Sequence, residues 1–406
     1  MPRPLIIQLA RVGDLVQSMP AMTALSAHGR ATSMDLLCPA ALASIGSCIP
    51  VVERVLPWEV ERWRLWGDRW ESAPKDTLRD IETYLQKAAL KPYGVAYNLN
   101  QHNASMLAAS LFGRRVVGPG DSGPLATALP PWADYLRGVV RDRARNRVHL
   151  ADVFCGLCGV MPSGTAPRLS LPPMDVPDDL ASVGEGEGLW IAVVVGAGDV
   201  VRRVPPAVWC EWIKAFLAAS SSGHIVLVGS RGERELGRAI QDDLSPLCLG
   251  RVWDTTGRTT LIQTAAILSR CHWVLGSDTG PLHMGTAVGA RAMGFYFARA
   301  RVHETGPYGE GHWVWQAQLP AGQDVQGESR MESMGVEHIN RWPIAESVRL
   351  ILEGRCGDAP GWTLWESALD RWGACYLHNG VASMDAAREE VWRRLHRPRH
   401  EAHEYV

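Results

Sequence analysis

Short apolar runs of strand length alternate with helix-period segments along almost the whole chain, stop once, and then start again. Strands joined by helices pair in parallel, because only a long crossover returns the chain to the same end of the sheet. In the first stretch the strand candidates are residues 4–10, 34–38, 51–56, 94–100 and 115–118. Between them, residues 75–90 carry Leu78, Ile81, Leu85 and Ala89 at helix spacing. The interruption covers residues 161–188, where MPSGTAPRLSLPPMDVPDD and GEGEG concentrate proline, glycine and acid, the composition of an interdomain connection. The pattern resumes at LWIAVVVGAG, a continuous apolar run suited to a strand buried on both faces. Helical patterns at 205–221, 233–244, 261–268 and 281–288 then alternate with strand patterns at 224–230, 252–255, 272–277 and 291–297.

At 406 residues the chain exceeds what one core ordinarily holds. The expectation is α/β: two Rossmann-like domains, 1–170 and 189–353, joined by a linker at 171–188 and facing across a cleft. A helical C-terminal extension, 354–406, is read from Trp365, Leu369 and Trp372 and from Ala387, Val391 and Leu395. A net charge of −2 gives no global pull toward nucleic acid or membrane. No apolar stretch reaches the length of a membrane span. The start, MPRPLIIQLARVGD, lacks a long apolar region and a cleavage site, so a cytoplasmic location is expected. The nine cysteines lie scattered in apolar segments, as reduced buried thiols do. Cys155 and Cys158 form a lone CxxC without a second pair at zinc spacing, and no metal is expected.

Three strand-to-helix turns carry the chemistry. In LIIQLARVGDLVQSMPAM, Arg11, Gly13 and Asp14 follow the first strand, and Pro20 fits the opening turn of the next helix. A carboxylate at this mouth either accepts a proton from a hydroxyl or caps the helix, and spacing alone does not separate the two. In VVVGAGDVVRRVPPAVW, Arg202 and Arg203 precede a helix start, which makes either a diphosphate site or a solvated basic pair. In HWVLGSDTGPLHMGTAVGA, Thr279 is placed to cap a helix, Gly280 allows close backbone approach, and Pro281 sits in the first turn. That geometry aims backbone N–H groups at an anion. Asp278 is better placed for sugar hydroxyls than for phosphate. His283 is a donor to phosphate or ribose, or a satisfied core histidine. None of the turns holds a full GxGxxG, which disfavours a dinucleotide-dependent dehydrogenase.

These segments, LIIQLARVGDLVQSMPAMTAL, GAGDVVRRVPPAVWCEW and DTTGRTTLIQTAAILSRCHWVLGSDTGPLHMGTAVGA, together with ETGPYG at 304–309, resemble the ADP-heptose:lipopolysaccharide heptosyltransferases of glycosyltransferase family 9. The resemblance runs from about residue 5 to 352 and leaves the extension uncovered. It implies GT-B architecture, with an acceptor-side N-terminal domain, a nucleotide-sugar C-terminal domain, and metal-independent inversion. It implies that Asp14 is the general base, with Arg11 and Gly13 on the acceptor side. Arg202 stands at the family's basic diphosphate position, usually lysine. Asp278 resembles the donor-sugar carboxylate, with Thr279, Gly280 and His283 at the phosphate turn. Glu233 in GSRGERE resembles the ribose ligand, with Glu235 as an alternative register, and Gly257 resembles the wall of the nucleotide pocket.

The resemblance further implies a nucleotide-sugar donor without other cofactor, a glycolipid, glycan or protein acceptor, and no nucleic acid. Val204 departs from the family's common tryptophan, and ARARVHE at 298–304 lacks its FGPT-like turn; both bear on the donor. RGVVRDRARNR, residues 137–147, holds five arginines. It suits a phosphorylated glycolipid or the inner face of a membrane, and equally a solvated surface. Two other functions fit the same residues: a GT-B transferase of another nucleotide sugar, or a catalytically silent nucleotide-binding partner.

Overall fold

The computed structural model describes residues 3–69, 72–87, 92–120, 130–141, 146–244, 246–318, 341–382 and 385–396. The first sheet holds β1 (Leu5–Ile7), β2 (Met34–Pro39), β3 (Val52–Trp58), β4 (Tyr93–Asn98) and β5 (Gly113–Val117). Among the described residues its order is β3-β2-β1-β4-β5, all parallel. Ile6 lies opposite Leu36 on one side and Tyr97 on the other.

The second sheet repeats the plan with β6 (Trp190–Val194), β7 (His224–Val228), β8 (Val252–Asp254), β9 (Trp273–Gly276), β10 (Arg291–Tyr296) and β11 (Trp313–Ala317). These run parallel in the order β8-β7-β6-β9-β10-β11. Every residue of β6 is buried, as its unbroken apolar run requires. In both sheets the strand order reverses beside the first strand of the unit, which opens a crevice at the carboxyl ends of β1 and β4 and of β6 and β9.

The extension departs from the expected helices. β12 (Trp362–Asp370), β13 (Gly373–His378) and the two-residue β14 (Val381–Ala382) add antiparallel to β11, and only then does a helix, Asp385–Leu395, form. The four-residue spacing of Trp365 and Leu369 fits a helix turn but also puts both on one face of a strand. Trp362 and Leu364 point to a different apolar cluster from Trp365 and Leu369, a partition that period two produces. Ala387, Val391 and Leu395 do lie on a helix.

Pro20 also sits elsewhere than expected. The helix Val12–Ala27 begins eight residues earlier, because the Arg11 amide donates to Asp14 Oδ2 and caps it as soon as β1 ends. Pro20 then lies inside the helix, where it withholds one backbone bond.

One apolar cluster runs through both domains, joining Ile6, Leu15 and Met19 to Val194, Leu282 and Met284. A second packs Trp209, Trp212 and Phe295 on the other face of the second sheet. Among the described residues no helix is long and apolar enough to cross a membrane.

Candidate active site

The turns after β1, β4, β6 and β9 surround a single cavity of about 840 Å³. Its walls include Arg11, Gly13, Asp14, Arg202, Glu233, Asp278, Thr279, Gly280 and His283. Two expected residues lie outside that wall. Gly257, in the left-handed region at φ 63°, packs under Arg231 and Arg234, and its carbonyl accepts from Arg234. Glu235 pairs with Arg238 at 2.7 Å on the surface. Glu233 is the acid that faces the cavity, held by the Ser230 amide at 2.6 Å. Gly196 makes room for it, since a Cβ there would lie 1.6 Å from Glu233 Oε1.

Two helix starts meet at the cavity floor. A Cβ on Gly280 would lie 2.2 Å from Val12 Cγ1, and one on Gly13 would lie 3.3 Å from His283 Cδ2. Only residues without side chains let the helices Val12–Ala27 and Gly280–Ala287 approach this closely. Thr279 occupies the N-cap position, but its hydroxyl donates back to Ser277 O at 3.2 Å instead of capping. The first turn of Gly280–Ala287 thus lacks a side-chain cap, and the positive end of its dipole faces the cavity.

Asp278 is buried and fully engaged. Arg202 NH1 donates to its Oδ2 and to its carbonyl, both at 3.0 Å, and His283 Nε2 lies 3.2 Å from Oδ1. Burial pushes this carboxyl up, yet His283 and Arg202 outweigh it and hold the pKa below the usual carboxylate range. Gln17 Nε2 stands 3.3 Å from the same His283 nitrogen, while Gln17 Oε1 is buried without a partner.

Asp14 is the opposite case. Burial raises its pKa, and the Arg11 amide and the charges of His283 and Arg11 only partly offset this. It both caps its helix and lines the cavity, so the capping role does not take it out of the wall. Arg11 is exposed at the mouth, close to Gly198 of the opposite domain.

Several wall residues were not singled out from sequence. Asn100 accepts from the Leu9 amide at 2.6 Å and donates to Gln8 at 2.5 Å, tying the ends of β1 and β4 together. His102 caps the helix Asn103–Phe112 through Nδ1, and burial lowers its pKa. Their signal was position: polar residues just past a strand's carboxyl end at the switch point. Leu136, Val139, Leu150 and Phe154 form an apolar wall, and Glu304 and Thr305, from the ETGPYG segment already noted, close the far side. Val204 is buried in the second apolar cluster, and Ala298 takes φ 51° in the segment lacking the usual turn.

Cys155 and Cys158 are buried, which raises both thiol pKa values, and no cluster of metal-ligating residues occurs among the described residues. Of the arginine-rich stretch, Arg137 is exposed and Arg147 half-buried, while residues 142–145 lie outside the described residues.

The chain resembles known proteins in the same sense. Residues 198–334 match the model of glycosyltransferase family 9 (heptosyltransferase). A putative glycosyltransferase of Haemophilus influenzae is 23% identical over 309 residues, 72% of this chain and 81% of that protein. A family 9 glycosyl transferase of Veillonella parvula superposes with a TM-score of 0.62 at 16% identity, over 86% of this chain and 98% of that one. The E. coli heptosyltransferase WaaC with ADP gives 0.57 at 18% identity, over 83% and 99%. The structural likeness establishes two Rossmann-like domains in GT-B arrangement, and the family match over residues 198–334 supports glycosyltransferase activity.

Proposed function

We propose that the protein transfers a heptose from ADP-heptose to an acceptor hydroxyl, with inversion and without a metal ion. The observation that carries this is one cavity whose wall includes Asp14 and Asp278, two aspartates with opposed pKa shifts. Separated titrations of this kind assign a proton acceptor and a permanently ionised ligand.

In this reading Asp14 takes the proton of the acceptor hydroxyl as its oxygen attacks the anomeric carbon. The bond from that carbon to the diphosphate breaks on the opposite face, and ADP leaves with the charge. Arg202 and the uncapped start of Gly280–Ala287 meet that charge, supplying the stabilisation a metal would otherwise give. Asp278, ionised, accepts hydroxyls of the sugar, and Glu233 accepts those of the ribose. The acceptor is a hydroxyl on a lipopolysaccharide core or on another glycan or protein. Support for ADP comes from the family match and from the likeness to a heptosyltransferase with ADP. A second donor class is favoured by the altered 298–304 segment, which reaches the cavity at Arg299 and Glu304, and thermal shifts across ADP- and UDP-sugars discriminate the two.

Replacing Asp14 with Ala is expected to lower turnover about 10²–10⁴-fold, the usual worth of a positioned base. Calorimetric ADP affinity is expected to stay unchanged, because in this reading the base faces the acceptor. Turnover within a few-fold of wild type removes Asp14 from the mechanism.

A further inference from the structure

Glu304 and Thr305 belong to a segment that three different parts of the chain hold in place. From its own sheet, Tyr296 donates to Thr305 O at 2.7 Å. From the N-terminal domain, His149 caps the helix Leu150–Leu157 by accepting the Ala151 amide at Nδ1, and its Nε2 donates to Gly306 O at 2.9 Å. From the extension, Tyr376 donates to Pro307 O at 3.2 Å.

Asp152 joins all three. One turn along from His149, it is fully buried. Its Oδ1 accepts from Tyr308 Oη at 2.8 Å, and its Oδ2 accepts the Ala374 amide at 2.9 Å. Gly373, at φ 101°, is required beside it, since a Cβ would lie 2.0 Å from Asp152 Oδ1. Arg388 from the last helix binds Ala374 O and Asp370, closing the turn against the carboxylate. Nearby, Trp392 is buried against Trp132 of the N-terminal domain, with ring centroids 4.5 Å apart. Leu150–Leu157 in turn packs on Val12–Ala27, the helix that carries Asp14.

We propose that Asp152 is a positioning residue, the point at which the C-terminal extension locks the base-bearing domain onto the Glu304–Tyr308 wall of the donor domain. The proposal rests on the transferase reading of the cavity, and it adds a role for the extension, which the family resemblance leaves uncovered. The lock is a set of hydrogen bonds more than a charge. Burial pushes the Asp152 pKa up to about 7, against the pull of Tyr308, the Ala374 amide and Arg388. An asparagine can make both bonds, its amide donating to the Tyr308 hydroxyl and its oxygen accepting from Ala374.

The test compares Asp152→Ala, Asp152→Asn and Tyr308→Phe in the full chain. Transfer kinetics with ADP-heptose, ADP calorimetry and hydrogen exchange across residues 302–308 are measured on each. Asp152→Ala is expected to lower kcat about 10- to 100-fold, the cost of a misaligned reacting pair. Exchange in 302–308 rises and ADP affinity holds, because Arg202 and Glu233, proposed to hold the nucleotide, lie outside 302–308. Asp152→Asn restores both kcat and slow exchange, and Tyr308→Phe falls between them and decides the matter if the alanine variant does not fold. Wild-type exchange in Asp152→Ala, or an asparagine variant as impaired as the alanine one, overturns the proposal. If the wild type itself shows no transfer, the donor assignment falls while the exchange measurements still judge the lock.

Discussion

Asp14 and Asp278 stand at the starts of two helices that touch through Gly13 and Gly280, yet their environments push them in opposite directions. Burial acts on both carboxyls. Among the described residues, Asp278 has two side-chain partners within bonding distance, Arg202 and His283, whereas the Asp14 carboxyl has a single backbone amide. A helix start and burial therefore do not decide what a carboxylate does. The side chains supplied by the facing turn do.

The largest way to break the pairing is steric. Gly280→Ala drives a methyl into Val12, parts the two helix starts, and is expected to cost about 100-fold in kcat through misplacement. Steady-state kinetics checks it, and an unchanged kcat would mean the contact plays no part in alignment. Next, Arg202→Met leaves Asp278 buried with His283 alone. A loss of about 1.5–3 kcal/mol in urea unfolding is expected, with weaker ADP binding by calorimetry.

The smallest effect is the most discriminating. Asp14 has a raised pKa, so its ionised form opposes folding: stability falls as pH rises from the unfolded value, about 3.9, through the raised folded value. Asp278 has a lowered pKa, so its contribution is present above that unfolded value and is lost as pH falls through the folded one. At pH 7, Asp14→Asn is therefore expected to raise the unfolding free energy and Asp278→Asn to lower it. Urea melts at pH 7 read this directly, and shifts of the same sign would erase the distinction.

The parallel strands were legible because a strand covered on both faces must be apolar throughout, as WIAVV in β6 is. The turns were legible because glycine, proline and acid cluster at strand ends, which located Asp14, Arg202 and Asp278. What escaped were groups that meet only across the fold. Gln17 reaches His283 over 266 positions, and Asp152 reaches Ala374 over 222, and neither carries a local signature. Thr279 shows the limit in miniature: its position was readable, but the turn of its hydroxyl toward Ser277 was not. The extension misled for a physical reason, since apolar residues four apart satisfy both periods until the partner strand is known.

That extension also decides where the second sheet ends. Without β12 the outermost strand would be β11, five residues carrying Trp313 and Trp315 with unpaired backbone along one side. Long apolar borders of this kind recruit strands from other molecules. With the extension in place the border is β14, two residues long, too short to template a neighbour. Removing the last fifty or so residues would accordingly bare β11 and is expected to favour aggregation.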